Sequence, residues 1–545
     1  MTIPRRDFLR HSALALAGIA AGCAPAVRSS RARWDTLLRG GTVFDGTGAP
    51  GVEADVALLD GRVAAVGPRL AGRAALELDA RGLAVAPGFI DIHSHADGNL
   101  FDDPRAESVV RQGITTVVVG QDGGSRAPAA GDGGREFVSF GGYFGAVERL
   151  PSAVNVASMV GLGTVRAAVV GNVDRPATAA ELARMEALVR DALAQGACGA
   201  SSGLEYTPGA FASREELAAL CRPLAARRLP YATHMRNEDD HLEEAVEEAI
   251  AVARAAGCPL QISHLKTQGA RNWGRLDAVL HAIEGARAGG LDVAFDRYPY
   301  IAYATTLTNL WPPAALDGGA DAFLRRLRDP AGADALRAFA LDKVAGLGGW
   351  DHVVISAVAS DADRAAEGKG MDEWARAAGA DPYDAAVALL ERSRADVGMV
   401  GFGMSEENLE RILAHPLGMA CTDGGSFAVD GPTRAGHPHP RGLGAFPRVL
   451  GLYVRERRAL TLEQAIHKLS GFPASRLRLA DRGTLRRGSV ADVVLFDPAT
   501  VRDRATFADP FQYPDGIRAV LVNGSLALRD GERSAARTGR VVRAG

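Results

Sequence analysis

Two kinds of hydrophobic patterning divide the chain. From residue 34 to 86 apolar and polar positions alternate between Gly-rich turns, as in TLLRGGTVFDGTG and ADVALLDGRVAAVG. That is the period of antiparallel strands. The same texture returns near the other end, in GSVADVVLFDPATV and GIRAVLVNGSLALRDGE. The two ends are therefore expected to pair as one small β-sandwich domain, built from residues 33–86 and 481–545.

Between them, from 87 to 480, short apolar runs alternate with helical stretches. The strand candidates are GFIDIHSH, GITTVVVGQD, NVASMVGL, GACGASSGLEY, LPYATHMRNE, LQISHLKTQ, LDVAFDRYPY and GMACTDGG. Segments such as 180–195 and 242–257 carry apolar residues at helical spacing and fit crossover helices. Eight strands alternating with helices predict an α/β fold, a (β/α)8 TIM barrel. A ninth strand-like piece at 396–404, and a stretch from about 310 too long for a crossover, are assigned to an insertion over about 310–404.

The functional groups of such a barrel stand at the C-terminal ends of its strands. The candidates deliver His93 and His95 there from the first, Asp122 from the second, His234 from the fifth, His264 from the sixth and Asp423 from the eighth. Imidazole and carboxylate together suit Zn2+, with a coordination position left open for catalysis. A structural account would bury the two imidazoles of His93 and His95 at one strand end with no shared partner, which is costly. His241, His281, His352, His415 and His467, isolated in sequence, are expected to be packing or surface histidines.

Composition narrows the picture further. A formal charge of -3 without a long basic tract offers nothing to nucleic acid. Cys198, Cys221, Cys258 and Cys421 lie singly without metal or disulfide spacing. The first 32 residues differ from the rest: Arg5 and Arg6, an apolar stretch of about a dozen residues, too short for the roughly 20 that span a bilayer, and then AAGC at 20–23. They read as a twin-arginine export signal with Cys23 a candidate lipid anchor, which places the mature chain in the periplasm or cell envelope.

With APGFIDIHSHAD, GITTVVVG, SSGLEYTPG, YATHMRNE, QISHLK, DRYPY, NLERILAHP, TDGG, HPHPRGLGAFPRVL and the tail DRGTLRRGSVADVVLFDPATVRD, the chain resembles the amidohydrolase superfamily, and within it the N-acyl-D-amino-acid deacylases. The resemblance covers nearly the whole mature chain. It implies one or two zinc ions, one at His93 and His95 and a tighter one at His234 and His264, with Asp423 as general acid/base. It also implies that Lys266 and Arg434, with Tyr298 or Tyr300 nearby, bind the free carboxylate of a small-molecule substrate. Relatives commonly carry Asn-Cys-Gly after the second strand, where this chain reads GQDGGS, so Asp122 stands where a zinc-binding Cys is expected. Asp122 is either a harder, bridging ligand or a turn residue before Gly123 and Gly124.

The activity so implied is hydrolysis of the amide bond of an N-acyl-D-amino acid. Rival readings are a dipeptidase, a cyclic-amide hydrolase of hydantoinase or dihydroorotase type, a deaminase on the same barrel, and a lipoprotein that binds a ligand without catalysis. The cyclic-amide group usually bridges two metals with a carboxylated lysine; the stretch GACGASSGLEYTPG has none, leaving Glu205 as the candidate substitute.

Overall fold

All eight strands predicted for the middle of the chain form, and they run parallel. The computed structural model describes residues 33–129 and 136–544; the expected export signal and Cys23 lie outside the described residues. In chain order the barrel strands are Phe89–Asp91, Ile114–Val119, Asn155–Ser158, Ala200–Gly203, Tyr231–His234, Leu260–Ile262, Val293–Arg297 and Gly418–Ala420. The first pairs with the second and the second with the third. A two-residue continuation of the third, Val160–Gly161, pairs with the fourth, and the ladder runs on to the eighth. The ring returns to its start where Asp423 N donates to the His93 carbonyl and Thr422 N to the Asp91 carboxylate, both at 2.9 Å.

Every residue of these strands is buried, because helices cover the outer face and side chains fill the inner one. The crossover helices are held by local signals. Ala179–Ala194 starts in a capping box of Thr178 and Glu181. Leu242–Ala256 stops at Gly257, whose φ of 71° belongs to the left-handed region.

Both chain ends enter one nine-stranded sheet. Its junction is Ala84–Pro87 paired antiparallel with Val493–Phe496, flanked by Trp34–Val43 on one side and Ile517–Val522 on the other. Apolar side chains from both ends, among them Leu38, Val56, Val85, Val493 and Leu521, fill a cluster of their own.

The insertion begins earlier than the sequence reading placed it. Ala302–Thr306 pairs antiparallel with Val397–Phe402, which pairs in turn with Val353–Val358. The segment leaves the barrel at Ala302, not about residue 310, because Tyr303 and Thr305 already belong to this sheet. It therefore begins directly after the seventh barrel strand, at the rim where the chemistry stands.

One buried ion pair ties the barrel's outer layer together. Arg166 Nη1 on helix Leu162–Val169 donates to both carboxylate oxygens of Glu216, on helix Arg214–Ala225, at 2.7 and 2.6 Å. Glu216→Ala leaves an unpaired guanidinium in the interior and is expected to lower the unfolding free energy by about 3–5 kcal/mol, read from urea denaturation. A change below about 1 kcal/mol, the range of exposed pairs, would contradict this reading.

Candidate metal centre

The strand ends bring six predicted side chains into contact. His93 Nε2 lies 3.4 Å from Asp122 Oδ1 and 3.4 Å from Asp423 Oδ1. His95 Nε2 lies 3.3 Å from Asp122 Oδ2 and 3.0 Å from Asp423 Oδ1. On the other side His264 Nε2 is 3.5 Å from Asp122 Oδ1 and 3.1 Å from His234 Nδ1. Three donor groups result among the described residues: His93, His95, Asp122 and Asp423; Asp122, His234 and His264; and Glu205, His234 and Glu238. Asp122 belongs to the first two, so of the two readings of this residue the geometry matches that of a shared ligand.

Backbone conformation aims these groups. Asp122, His264 and Asp423 have φ of 51°, 33° and 49°, a region L-residues seldom adopt outside over-determined sites. Asp122 is further fixed by close approach of the second and fourth strands, where a Cβ on Gly203 would land on the Asp122 carbonyl oxygen.

The donor set fits zinc. Ligand atoms at about 2.0–2.1 Å from a tetrahedral Zn2+ stand ~3.3 Å from one another, the spacing seen here. Neither ring nitrogen of His93 has a hydrogen-bond partner although the ring is buried, and Asp122 Oδ1 is likewise buried and unpartnered, so each can take a cation. A carboxylate also lies at the outer nitrogen of three of the four rings: Asp296 3.4 Å from His93 Nδ1, Glu205 3.3 Å from His234 Nε2 and Glu238 3.0 Å from His264 Nδ1. A carboxylate that accepts the outer ring proton fixes the tautomer and raises ligand basicity; of the three contacts, that of Glu205 with His234 is hydrogen-bonded. Glu205 stands outside the two donor groups that share Asp122 and contacts His234 Nε2, with Glu238 nearby.

Charge is concentrated in the site. Burial pushes the rings of His93 and His95 down, and the carboxylates of Asp122 and Asp423 outweigh it, holding His95 at about 9 and His93 well above its ordinary value. Burial pushes the Asp122 carboxyl up, while His93 and His264 pull it well below the usual carboxylate range. Without metal the cluster thus carries protons on imidazole, which a dication displaces. Zinc binding to the apo protein is expected to release protons, and its apparent affinity to fall as the pH drops below about 9. Calorimetry at fixed pH in buffers of different ionisation enthalpy measures this; a heat independent of the buffer would exclude it.

Beside the metal ligands lies a cavity of about 510 Å3, lined among others by His95, Asp122, Tyr206, Lys266, Tyr298, Tyr303, Asn309, Asp423 and Arg441. Lys266 is there, with Nζ 2.5 Å from Glu238 Oε2 and 2.8 Å from His264 Nδ1. The hydroxyl of Tyr298 is buried without a partner.

Arg434 and Tyr300 are not brought to the cavity. Arg434 sits in a turn closed by its own N–H on the Gly431 carbonyl, and its exposed side chain donates to the Val429 carbonyl and lies over the Phe511 ring. Tyr300 follows Pro299, beyond the end of the strand, and packs against Arg448, His439 and Phe507. Two arginines line the cavity, Arg126 and Arg441; the one beside Asp423 is Arg441, in HPHPR, at the start of helix Arg441–Arg448. Its Nη1 is 2.7 Å from Asp423 Oδ2, yet without hydrogen-bond alignment, and its guanidinium covers the Tyr298 ring at 4.6 Å. His439 supports it: Nε2 donates to the Ala302 carbonyl and Nδ1 accepts from Arg441 N, and burial beside Arg441 keeps the ring neutral.

Sequence reasoning missed Arg441, Glu238, Asp296 and His439. HPHPR directly before a helix was the available signal for Arg441. The five histidines expected to be structural line no part of the cavity.

A family model described as an amidohydrolase family matches residues 76–527. Over 521 residues the chain is 37% identical to D-aminoacylase of Alcaligenes xylosoxydans xylosoxydans, covering 93% of this chain and 97% of that one. It is 39% identical over 520 residues to the N-acyl-D-glutamate deacylase of the same organism, covering 93% and 96%. Its backbone matches, with a TM-score of 0.81 and 38% identity, that of N-acyl-D-glutamate deacylase from Bordetella bronchiseptica complexed with zinc and a phosphonate mimic of the tetrahedral intermediate, covering 94% of this chain and all of that one. The chain belongs to the amidohydrolase family, in its N-acyl-D-amino-acid deacylase branch.

Proposed function

We propose that this protein hydrolyses the amide bond of N-acyl-D-amino acids, releasing a carboxylate and a free D-amino acid. The observation that carries the proposal is the juxtaposition, in one cavity, of a shared-carboxylate metal centre with a buried arginine that has no hydrogen-bond partner on Nη1. Zinc in such a centre lowers the pKa of water toward neutrality and polarises a carbonyl.

The chain's own residues do the rest. Arg441, with Lys266 and the Tyr298 hydroxyl, holds the substrate carboxylate and so fixes which face of the scissile carbonyl meets the centre. Asp423, kept ionised by Arg441, His93 and His264 against the effect of burial, takes the proton of the attacking water on Oδ1. It then returns that proton to the departing nitrogen, which an amide requires because an amine anion leaves very poorly.

Release of free amino acid from paired N-acetyl-D and N-acetyl-L libraries tests the activity. D-selective release is expected; release of ammonia from heterocycles, or of dipeptide products alone, would sink it. Arg441→Met is expected to raise KM by about 10–100-fold, the loss of a charge-assisted pair worth about 1.5–3 kcal/mol, while Arg434→Met stays near wild type. The reverse order would return the carboxylate to Arg434.

The leader supports a second proposal, that the chain is exported folded by the twin-arginine route and held at Cys23 by lipid. Replacing Arg5 and Arg6 by Lys should retain the protein in the cytoplasm, and Cys23→Ser should abolish palmitate labelling. Unchanged fractionation would exclude the route, and unchanged labelling the anchor. Among the described residues no helix is long and apolar enough to cross a membrane.

A further inference from the structure

The insertion holds a carboxylate that contacts one of the metal-centre histidines. Glu205, two residues past the fourth barrel strand, places Oε2 3.3 Å from His234 Nε2. The same oxygen accepts from Asn309 Nδ2 at 3.1 Å, and Oε1 lies 3.7 Å from Lys343 Nζ. Asn309 and Lys343 both belong to the insertion, Lys343 on helix Ala333–Leu347. Lys343 is anchored independently by Asp239, 3.2 Å away.

The tautomer of His234 follows from a cation held in the donor group of Asp122, His234 and His264. His234 Nδ1 faces His264 Nε2 at 3.1 Å inside the donor group shared with Asp122, so Nδ1 offers its lone pair there and Nε2 carries the proton. That proton points to Glu205 Oε2. The Tyr206 ring packs on the imidazole at 4.7 Å between centroids and limits its rotation.

We infer that Glu205 is a positioning residue for the metal ligand His234, and that the insertion, by holding Glu205 through Asn309 and Lys343, sets how tightly the centre keeps zinc. The inference rests on the metal-centre reading above and adds to it a part for the insertion beyond lining the cavity. A structural alternative is that Glu205 merely pairs with Lys343 to dock the insertion; Asp239, which shares that lysine but does not touch His234, separates the two.

Zinc affinity, measured by competition with a chromophoric chelator on the full-length mature chain, is the readout. Glu205→Ala is expected to lower it by about 10–100-fold, as loss of an outer carboxylate does. Glu205→Gln should lower it less, since its amide oxygen still accepts the Nε2 proton, and Asp239→Asn should leave it unchanged. Unchanged affinity in Glu205→Ala, or an equal loss in Asp239→Asn, overturns the inference. If Glu205→Ala does not fold, Glu205→Gln decides: any loss supports the role, none overturns it. Full deacylase activity with unaltered zinc affinity in Glu205→Ala would sink the positioning role alone. A wild-type chain inert to every N-acyl amino acid, with zinc affinity lost in Glu205→Ala, would sink the deacylase reading alone.

Discussion

Asp423→Asn is expected to retain zinc and to lose turnover by about 10²–10⁴-fold, the range of a removed general acid/base. Asparagine keeps the shape and one oxygen, so the donor groups lose little geometry, and Asp122, His234 and His264 stand without Asp423. An amide, however, takes no proton from the attacking water and has none to return to the leaving nitrogen. The loss should fall on kcat, with KM little changed, because the carboxylate-binding residues remain. Metal content and steady-state rates on the same preparation decide the matter. A fully active, zinc-loaded Asp423→Asn would reassign the proton carrier.

His264→Ala is expected to fail one step earlier, by losing the metal. Its ring stands in the donor group of Asp122 and His234, with Nε2 near both and Nδ1 near Glu238 and Lys266. Removing it takes one of three ligands from that donor group and leaves Glu238 without its imidazole partner. Affinity should fall by more than the about 10–100-fold that follows loss of an outer partner. Zinc counted per chain after dialysis should drop, and turnover should fall to background. Chelated wild-type protein should lose activity and regain it with added zinc, whereas the variant should not recover at ordinary zinc concentrations. Turnover by thoroughly chelated wild type would remove the metal from the reaction.

The barrel was legible because its signals are local. Five of the eight strands are short apolar runs followed by a residue whose burial without a function would be costly, so GFIDIHSH and LPYATHMRNE announce both element and chemistry. The insertion was legible in bulk but not at its start: IAYATTL has too weak an alternation to separate a strand from a rim loop, and only its pairing with residues 397–402 settles it. In the site, ligands that follow strands at short fixed distances were readable. Arg441 was not, since it lies on a long loop after Asp423 whose path no periodicity encodes, and the nearer Arg434 satisfies the same sequence description. The carboxylates behind the histidines were hidden differently. Glu205, Glu238 and Asp296 stand at the outer nitrogen of rings contributed by other strands, a relation that exists only once the barrel closes.

The junction of Ala84–Pro87 with Val493–Phe496 also has a consequence for the order of synthesis. At about 5–20 residues per second a ribosome needs on the order of 20–80 s to make the roughly 400 residues between those partners. Throughout that interval Ala84–Pro87 lacks its antiparallel neighbour, an open apolar edge of the kind that pairs with other chains. This junction therefore forms only after Val493–Phe496 has been made, and until then the nascent half of the sheet is exposed to pairing with other chains. A carboxy-terminal truncation before Val493 would leave that edge open permanently, so such fragments should accumulate as aggregates even though every barrel strand and every metal ligand is present in them.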